Sequence, residues 1–275
     1  MNELLNGFFD SICVYMQPRP EAWGTWHLCF LLIGLAISVT VAILLRRCSL
    51  RCFNNVLRCV GFFLIAIEIM KLLYNYYSLC DDFSAVVYLF PFQLCSMPIY
   101  MAVIASYLKE GNPLRTALLV FMMSYTFMSG LIAYVEPSGL LNPTYFSTIH
   151  SLTWHMLLVF LGLFIGLSGR VGRSIKDFRY AFYLFLACCG IAIALNYVLP
   201  LIITREGASV PNMFYIGPPR SSLVVYMDLW DRLGWIPTAI LYVLSVSAAA
   251  FVFFFPFYFA YRRTDKVRQL PTEVN

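Results

Sequence analysis

Seven apolar segments, each about as long as the hydrocarbon core of a bilayer requires, fill most of this chain. Hydrophobic residues make up 61% of the sequence and charged residues 12%, which excludes an ordinary soluble domain. Because lipid offers no partner to backbone groups, the segments are predicted to be helices, and the alternating pattern of a membrane β-barrel is missing. We expect one all-α polytopic membrane bundle of about seven transmembrane helices over residues 1–275. The predicted spans are Trp26–Leu45, Val56–Tyr74, Ala85–Leu108, Leu114–Val135, Thr148–Leu167, Tyr180–Ile203 and Trp235–Tyr261.

The basic residues between these spans predict the orientation of the chain in the membrane. Fourteen of the nineteen Lys and Arg residues fall in the first, third and fifth loops and in the C-terminal tail. Since basic loops stay in the cytoplasm, we expect a protein of the cell membrane whose N-terminus lies outside and whose tail, residues 262–275, lies in the cytoplasm. The first apolar run has no basic leader, so we do not expect a cleavable signal peptide. Positive charge confined to such loops gives no support to nucleic-acid binding.

The few polar residues of the predicted spans collect toward the outer side of the membrane. At 1.5 Å per residue, Cys95 lies about 15 Å into the third span, and His155 lies about two turns into the fifth. The other members of this group are His27, Glu68, His150 and Asn196. Ionisable groups inside a membrane are costly and usually functional, so we expect a polar cavity that opens to the outer side.

Cys95 lies between two prolines, Pro91 and Pro98, which predict a break in the third span. A thiol beside such a break, with His155 nearby as a base, has the make-up of a cysteine nucleophile. Glu68 or Asn196 could orient the histidine, as the acid does in a catalytic triad. The alternative is a core cysteine in a kinked helix, with Glu68 paired to Lys71 three residues later on the same helical face.

A metal site is the weaker interpretation of the histidines. His27, His150 and His155 could bind a cation together with Glu68, but the sequence has no HxxxH, HExxH or CxxC pair. We therefore predict neither a metal nor another cofactor.

The long connection before the last span is the least hydrophobic one. Residues 207–234 contain Asn212 and the helix-stopping Gly-Pro-Pro run that starts at Gly217. This segment is predicted to be either a lid over the outer cavity or an ordinary outer loop.

Several short motifs follow one another along most of the chain. They are His27, Glu68, Pro91-Phe92-Gln93-Leu94-Cys95, the stretch from Gly130 to Pro137, His155, Asn196, Asn212-Met213-Phe214-Tyr215-Ile216-Gly217-Pro218-Pro219 and Leu233-Gly234-Trp235-Ile236-Pro237. In this order the chain resembles the YwaF-type bacterial integral membrane proteins, which are related to eukaryotic transmembrane protein 164. That family has a Pro-Leu-His-Leu-Cys motif, and Gln93 of this chain stands at the position of its histidine. Because glutamine does not titrate, any acid–base role of that position is lost and only hydrogen bonding remains.

The resemblance implies a lipid acyltransferase-like function. The eukaryotic relative is regarded as moving a fatty acyl chain between phospholipids, and Cys95 matches its candidate nucleophile. The expected partner is a membrane phospholipid or lysophospholipid, whose phosphate Arg205, Arg220 and Arg232 could contact. Gln93 or backbone N–H groups near Pro98 could hold the oxyanion. The alternatives are a small-solute transporter, since broken helices and intramembrane His and Glu also mark translocation paths, and a non-catalytic membrane scaffold.

Overall fold

The computed structural model describes residues 2–80, 83–203 and 209–268, and in these ranges the regular structure is helical apart from one isolated bridge between Tyr15 and Thr144. The α-helices of the described ranges are α1 (Asn2–Ile12), α2 (Thr25–Leu45), α3 (Leu50–Tyr74), α4 (Phe83–Tyr88), α5 (Pro98–Tyr107), α6 (Pro113–Phe121), α7 (Phe127–Val135), α8 (Tyr145–Ser168), α9 (Ile175–Val198), α10 (Val224–Leu233) and α11 (Trp235–Arg268).

Five helical segments in the described part of the chain are long and apolar enough to cross a membrane. They are Thr25–Leu45, Pro113–Val135, Tyr145–Ser168, Ile175–Ile202 and Trp235–Arg262. These segments match the first, fourth, fifth, sixth and seventh predicted spans. The prediction of an all-helical, multi-pass membrane protein is therefore confirmed, while the number of seven spans and their orientation stay predictions.

The other two predicted spans take a different form. The second corresponds to α3, a 25-residue helix that includes Arg58, Glu68 and Lys71 and is not among these five segments. The third, Ala85–Leu108, is not one continuous helix, because α4 ends at Tyr88 and α5 begins only at Pro98. The break falls between the two prolines, where missing N–H groups interrupt a helix.

The segment Pro113–Val135 forms the centre of the bundle. Of its most apolar window 72% is buried, against 61% for α8 and only 11% for α2, so α2 lies at the periphery. A π-helical turn, Met122–Thr126, joins α6 to α7 and is entirely buried. The centre of the fold therefore consists of α6, α7 and α8.

Glycine residues let α8 pack closely against α7. A Cβ on Gly162 would lie 2.4 Å from the Cβ of Phe127, and one on Gly130 would lie 3.0 Å from the carbonyl oxygen of His155. Glycine at such contacts allows the backbones of membrane helices to pack tightly. This packing fixes α8, which carries His150 and His155.

Two short helices lie outside the predicted spans. In α1, Phe9 is buried and stacks on Tyr77 with a centroid distance of 5.6 Å. Helix α10 packs along α11 through Tyr226, whose ring lies 5.2 Å from that of Tyr242. Of the predicted tail, residues 262–268 continue α11 and residues 269–275 lie outside the described ranges.

Candidate functional site

A cavity of about 650 Å³ lies at one end of the bundle, between α3, the turn before α5, the first half of α8 and residues 209–222. We call it the Cys95 cavity. It is lined by six of the eight residues proposed for the site from the sequence, namely Glu68, Gln93, Cys95, His150, His155 and Asn212. The other two, His27 and Asn196, are not part of its lining.

Cys95 lies in a short turn at the break in the third segment. Leu94–Ser96 form one 3-10 turn, and Pro98 then opens α5, at a position where a missing N–H costs no helical hydrogen bond. The carbonyl oxygen of Cys95 accepts a hydrogen bond from Trp154 Nε1 at 3.1 Å. Cys95 thus lies in the break itself, three residues before the first residue of α5.

His155 is oriented by its own helix. Its Nδ1 lies 2.8 Å from the carbonyl oxygen of Ser151. A carbonyl only accepts, so Nδ1 carries the proton, and Nε2 of the neutral ring is the acceptor that a general base needs. Among the described residues, no hydrogen bond joins the Cys95 thiol to this ring; the two groups share the cavity without direct pairing.

The partners predicted to orient this histidine do something else. Glu68 is buried, and its Oε1 accepts from Lys71 Nζ at 2.5 Å, as the structural alternative predicted for this pair. Asn196 is engaged with residues 212–217. An orienting acid is therefore not required here, because the Ser151 carbonyl sets the ring by a local i to i+4 contact.

The two remaining histidines have different surroundings. His150 stacks on Trp154 with a centroid distance of 5.5 Å, and its buried Nε2 has no hydrogen-bond partner in the described structure. His27 is fully buried outside the cavity, where its Nδ1 accepts from the Trp23 N–H at 3.1 Å and its ring stacks on Tyr134 at 5.8 Å. His27 thus anchors the start of α2, and in the described ranges no group of three His, Cys, Asp or Glu side chains could hold a metal ion.

Residues 209–222, which we call the strap, cover one side of the Cys95 cavity. Gln93 attaches the strap to the turn that carries Cys95: its Nε2 donates to the carbonyl oxygen of Asn212 at 2.9 Å, and its Oε1 accepts from the N–H of Phe214 at 2.8 Å. The Gln93 side chain therefore uses both its donor and its acceptor to hold the strap. The predicted lid over residues 207–234 lies partly outside the described ranges, because residues 204–208 are not described.

A second amide side chain, on α9, also holds the strap. Asn196, buried in α9, accepts from the N–H of Met213 at 2.5 Å and donates to the carbonyl oxygen of Gly217 at 2.6 Å. Asn212 then ties the strap to itself, since its Oδ1 accepts from the Gly217 N–H at 2.9 Å and its Nδ2 donates to the Pro219 carbonyl at 2.8 Å. The strap is therefore fixed by amide side chains rather than by regular secondary structure.

Two consecutive residues of the strap have left-handed backbone conformations. Phe214 has φ 56° and Tyr215 has φ 53°, which disfavours side chains other than glycine by about 1–2 kcal/mol each. Gln93 and the burial of the Phe214 ring hold this geometry. It directs Tyr215 into the lining of the cavity, where burial, with a smaller effect of Cys95, raises the pKa of Tyr215 to about 12. The phenol is therefore a neutral hydrogen-bond donor.

The arginines predicted for phosphate contact are dispersed. Arg220 lines the cavity and pairs with Asp231, Nε donating to Oδ1 at 2.8 Å. That hydrogen bond lowers the pKa of the Asp231 carboxyl. Arg232 is exposed on α10 and does not line the cavity, and Arg205 lies outside the described residues.

Sequence reasoning assigned no role to three residues of the site. Trp154 donates to the carbonyl oxygen of Cys95, and the carbonyl oxygen of Ser151 binds Nδ1 of His155. Tyr215 lines the cavity because of its unusual backbone conformation. None carries a sequence signal of its own, although the helical spacing of Ser151 and His155 places both on one face.

The fold and the site together define a class: a multi-pass α-helical membrane protein with a polar cavity at one end that contains a cysteine and two histidines. Within that class, residues 22–265 match the model of the TMEM164 family. The chain belongs to the TMEM164 family, and the predicted relation to transmembrane protein 164 is confirmed. No curated protein and no solved structure matches the chain.

Proposed function

We propose that this protein is a phospholipid acyltransferase of the cell membrane that forms an acyl thioester on Cys95, as the YwaF-type resemblance implies. One observation carries the proposal: Cys95 and His155, which come from different segments, line the same cavity. The proposal includes seven membrane spans with the N-terminus outside, which would open the Cys95 cavity toward the outer leaflet.

In the first half-reaction, the Cys95 thiol gives its proton to Nε2 of His155, and the sulfur attacks the ester carbonyl carbon of a phospholipid. The ester C–O bond then breaks. The oxygen of the departing lysophospholipid takes the proton from His155, and the acyl chain stays on sulfur as a thioester. Catalytic hydrogen bonds often tighten only when substrate is bound, so the unpaired thiol and ring are compatible with this step.

In the second half-reaction, an acceptor hydroxyl gives its proton to His155 and attacks the thioester carbonyl. The Cys95 sulfur leaves and is protonated again by His155. Both tetrahedral intermediates carry an oxyanion, which needs fixed hydrogen-bond donors. The neutral Tyr215 hydroxyl is proposed for this role, because the Gln93 amide already binds the strap and the N–H groups of Tyr100 and Met101 in the first turn of α5 already donate to the Met97 carbonyl.

The alternatives have less support. A transporter would need a polar path between the two ends of the bundle, but the Cys95 cavity and a second polar pocket at the other end share no lining residue in the described structure. A scaffold with Cys95 facing lipid is also disfavoured, since Cys95 lines the cavity with His155.

The test uses the full chain in nanodiscs that contain a phosphatidylcholine with a fluorescent acyl chain and a lysophospholipid acceptor. Wild-type protein is expected to transfer the label and to accumulate a hydroxylamine-sensitive acyl adduct. Cys95→Ser should lose transfer by about a hundredfold or more and should not form the thioester, and His155→Gln should slow both steps. Cys59→Ser is the matched control, because Cys59 is an exposed thiol of α3 outside the cavity. Normal turnover by a folded Cys95→Ser protein would rule out the thioester.

A further inference from the structure

A second pocket, of about 490 Å³, lies at the opposite end of the bundle from the Cys95 cavity. It is formed where three connections meet: the residues after α2, those between α5 and α6, and those after α8. Ser168, which lines it, is thirteen residues from His155 along α8, so the two sites are about 20 Å apart. The loop charges predict that this end faces the cytoplasm.

The lining of this pocket has a large excess of positive charge. Its only charged residues within the described structure are Arg46, Arg47, Arg115, Arg170, Arg173 and Glu110. Glu110 accepts from Arg170 Nη1 at 2.8 Å, so one carboxylate faces five guanidinium groups. Like charges that share a concave surface repel one another, and an anion that binds between them relieves this repulsion. We call the site the arginine pocket.

Three of these arginines are fixed in place by the fold. Arg115 is buried and donates to the carbonyl oxygens of Ala105 at 2.7 Å and Leu108 at 2.6 Å. Arg170 donates to the carbonyl oxygen of Cys48 at 2.8 Å, and Arg173 Nε to that of Gly169 at 2.7 Å. The walls of the pocket are therefore preorganised, since most of the side-chain entropy is already lost.

The other two arginines are suited to contact a ligand. Arg46 and Arg47 follow α2 directly and are exposed, and neither side chain makes a hydrogen bond or ion pair with any described residue. Their donor groups are free for an incoming anion. The planar fork of a guanidinium matches the oxygens of a phosphate group in a bidentate way, which a lysine cannot do.

We propose that the arginine pocket binds a phosphate group, with Arg46 and Arg47 as the direct contacts and Arg170 as the fixed base of the site. A phosphate at this position comes either from the head group of an anionic lipid in the adjacent leaflet or from a soluble phosphate. Basic pockets between membrane helices on the cytoplasmic side are suited to lipid phosphates. The proposal does not depend on acyl transfer at Cys95.

The experiment measures binding to the full chain by its thermal stabilisation. One arm uses nanodiscs of phosphatidylcholine with or without phosphatidic acid, and the other uses detergent micelles with inorganic phosphate at constant ionic strength. The test variant is Arg46→Gln with Arg47→Gln. The matched control is Arg51→Gln with Arg179→Gln, which removes the same charge from exposed residues outside the pocket. Each variant is compared with itself without ligand, so the readout is the shift in melting temperature that the ligand causes.

We expect phosphatidic acid to stabilise the wild-type protein and the control. The test variant should need at least about tenfold more ligand for the same shift, since each charge-assisted bond contributes about that factor. Stabilisation by inorganic phosphate in micelles, lost in the test variant, would also support the phosphate site and would identify a soluble source. Equal responses of the test variant and the control, or no response to either phosphate, would overturn the proposal.

Discussion

The two ends of this bundle contain polar cavities of comparable size that differ in their charge balance. In the Cys95 cavity the charged side chains are paired, Glu68 with Lys71, and Arg220 with Asp231. In the arginine pocket five guanidinium groups face one carboxylate. Balanced charges suit a neutral or zwitterionic substrate, whereas an unbalanced pocket suits an anion. The two cavities therefore favour ligands of different charge.

The two ends also differ in how their loops are held. The strap is attached by the amides of Gln93, Asn196 and Asn212, which bind backbone groups more than fifteen residues away or within the strap itself. At the arginine end guanidinium groups hold the loops instead, locally from Arg173 to Gly169 and over long range from Arg170 to the carbonyl of Cys48. Each amide of the strap uses both its donor and its acceptor, so single substitutions there should release the strap, and this contrast leads to the predictions below.

The largest expected effect is at Asn196. Asn196→Leu removes the partners of the Met213 N–H and the Gly217 carbonyl, and the loss should lower the free energy of unfolding by about 3 kcal/mol. Unfolding in mixed micelles gives the stability, and limited trypsin cleavage after Arg220 reports release of the strap. The control at the other end is Asn112→Ala, which removes only the cap of α6 and should cost about 1 kcal/mol. Equal losses would mean that the strap is not held in the manner described.

The next effect concerns the packing that separates the two ends. In Gly162→Ala, the new Cβ would lie 2.4 Å from the Cβ of Phe127, so the variant should lose about 1–3 kcal/mol of stability. Gly190→Ala is the matched control, because a Cβ there meets no atom within 4 Å. It should be neutral or stabilising by up to about 1 kcal/mol. A Gly162→Ala protein as stable as the control would contradict the close approach of α8 to α7.

A smaller effect distinguishes the roles of Gln93. Gln93→Glu keeps the acceptor for the Phe214 N–H but loses the donor to the Asn212 carbonyl, and should cost about 1–2 kcal/mol at neutral pH. Gln93→His restores the residue of the resembled family motif. A neutral imidazole has one donor and one acceptor, so this variant should retain most of the stability. Thermal unfolding of the variants in micelles measures the difference in stability. A Gln93→His protein less stable than Gln93→Glu would refute the claim that Gln93 holds the strap through both a donor and an acceptor.

These residues illustrate what the sequence could predict. Hydropathy identified the helical membrane fold, because a span is a continuous property of about 20 residues. The two prolines located the break beside Cys95. Spacing could not reveal that Gln93 meets Phe214, or that Asn196 meets Gly217, because these contacts depend on the path of the strap. The orienting partner of His155 was predicted to be Glu68 or Asn196 from another helix, whereas it is a carbonyl of its own helix, that of Ser151.

The smallest expected effect is a pH dependence at the exposed pair of Arg220 and Asp231. The hydrogen bond from Arg220 lowers the pKa of Asp231 below its ordinary value of 3.8. The pair therefore stabilises the folded protein fully above pH 3.8 and loses this contribution as the pH falls through the lowered pKa. Wild-type protein should melt slightly above Asp231→Asn at neutral pH, the gap should close in acid, and salt should reduce it, since an exposed pair is screened. Asp228→Asn is the control. A gap that persists in acid would show that Asp231 acts through packing and not through its charge.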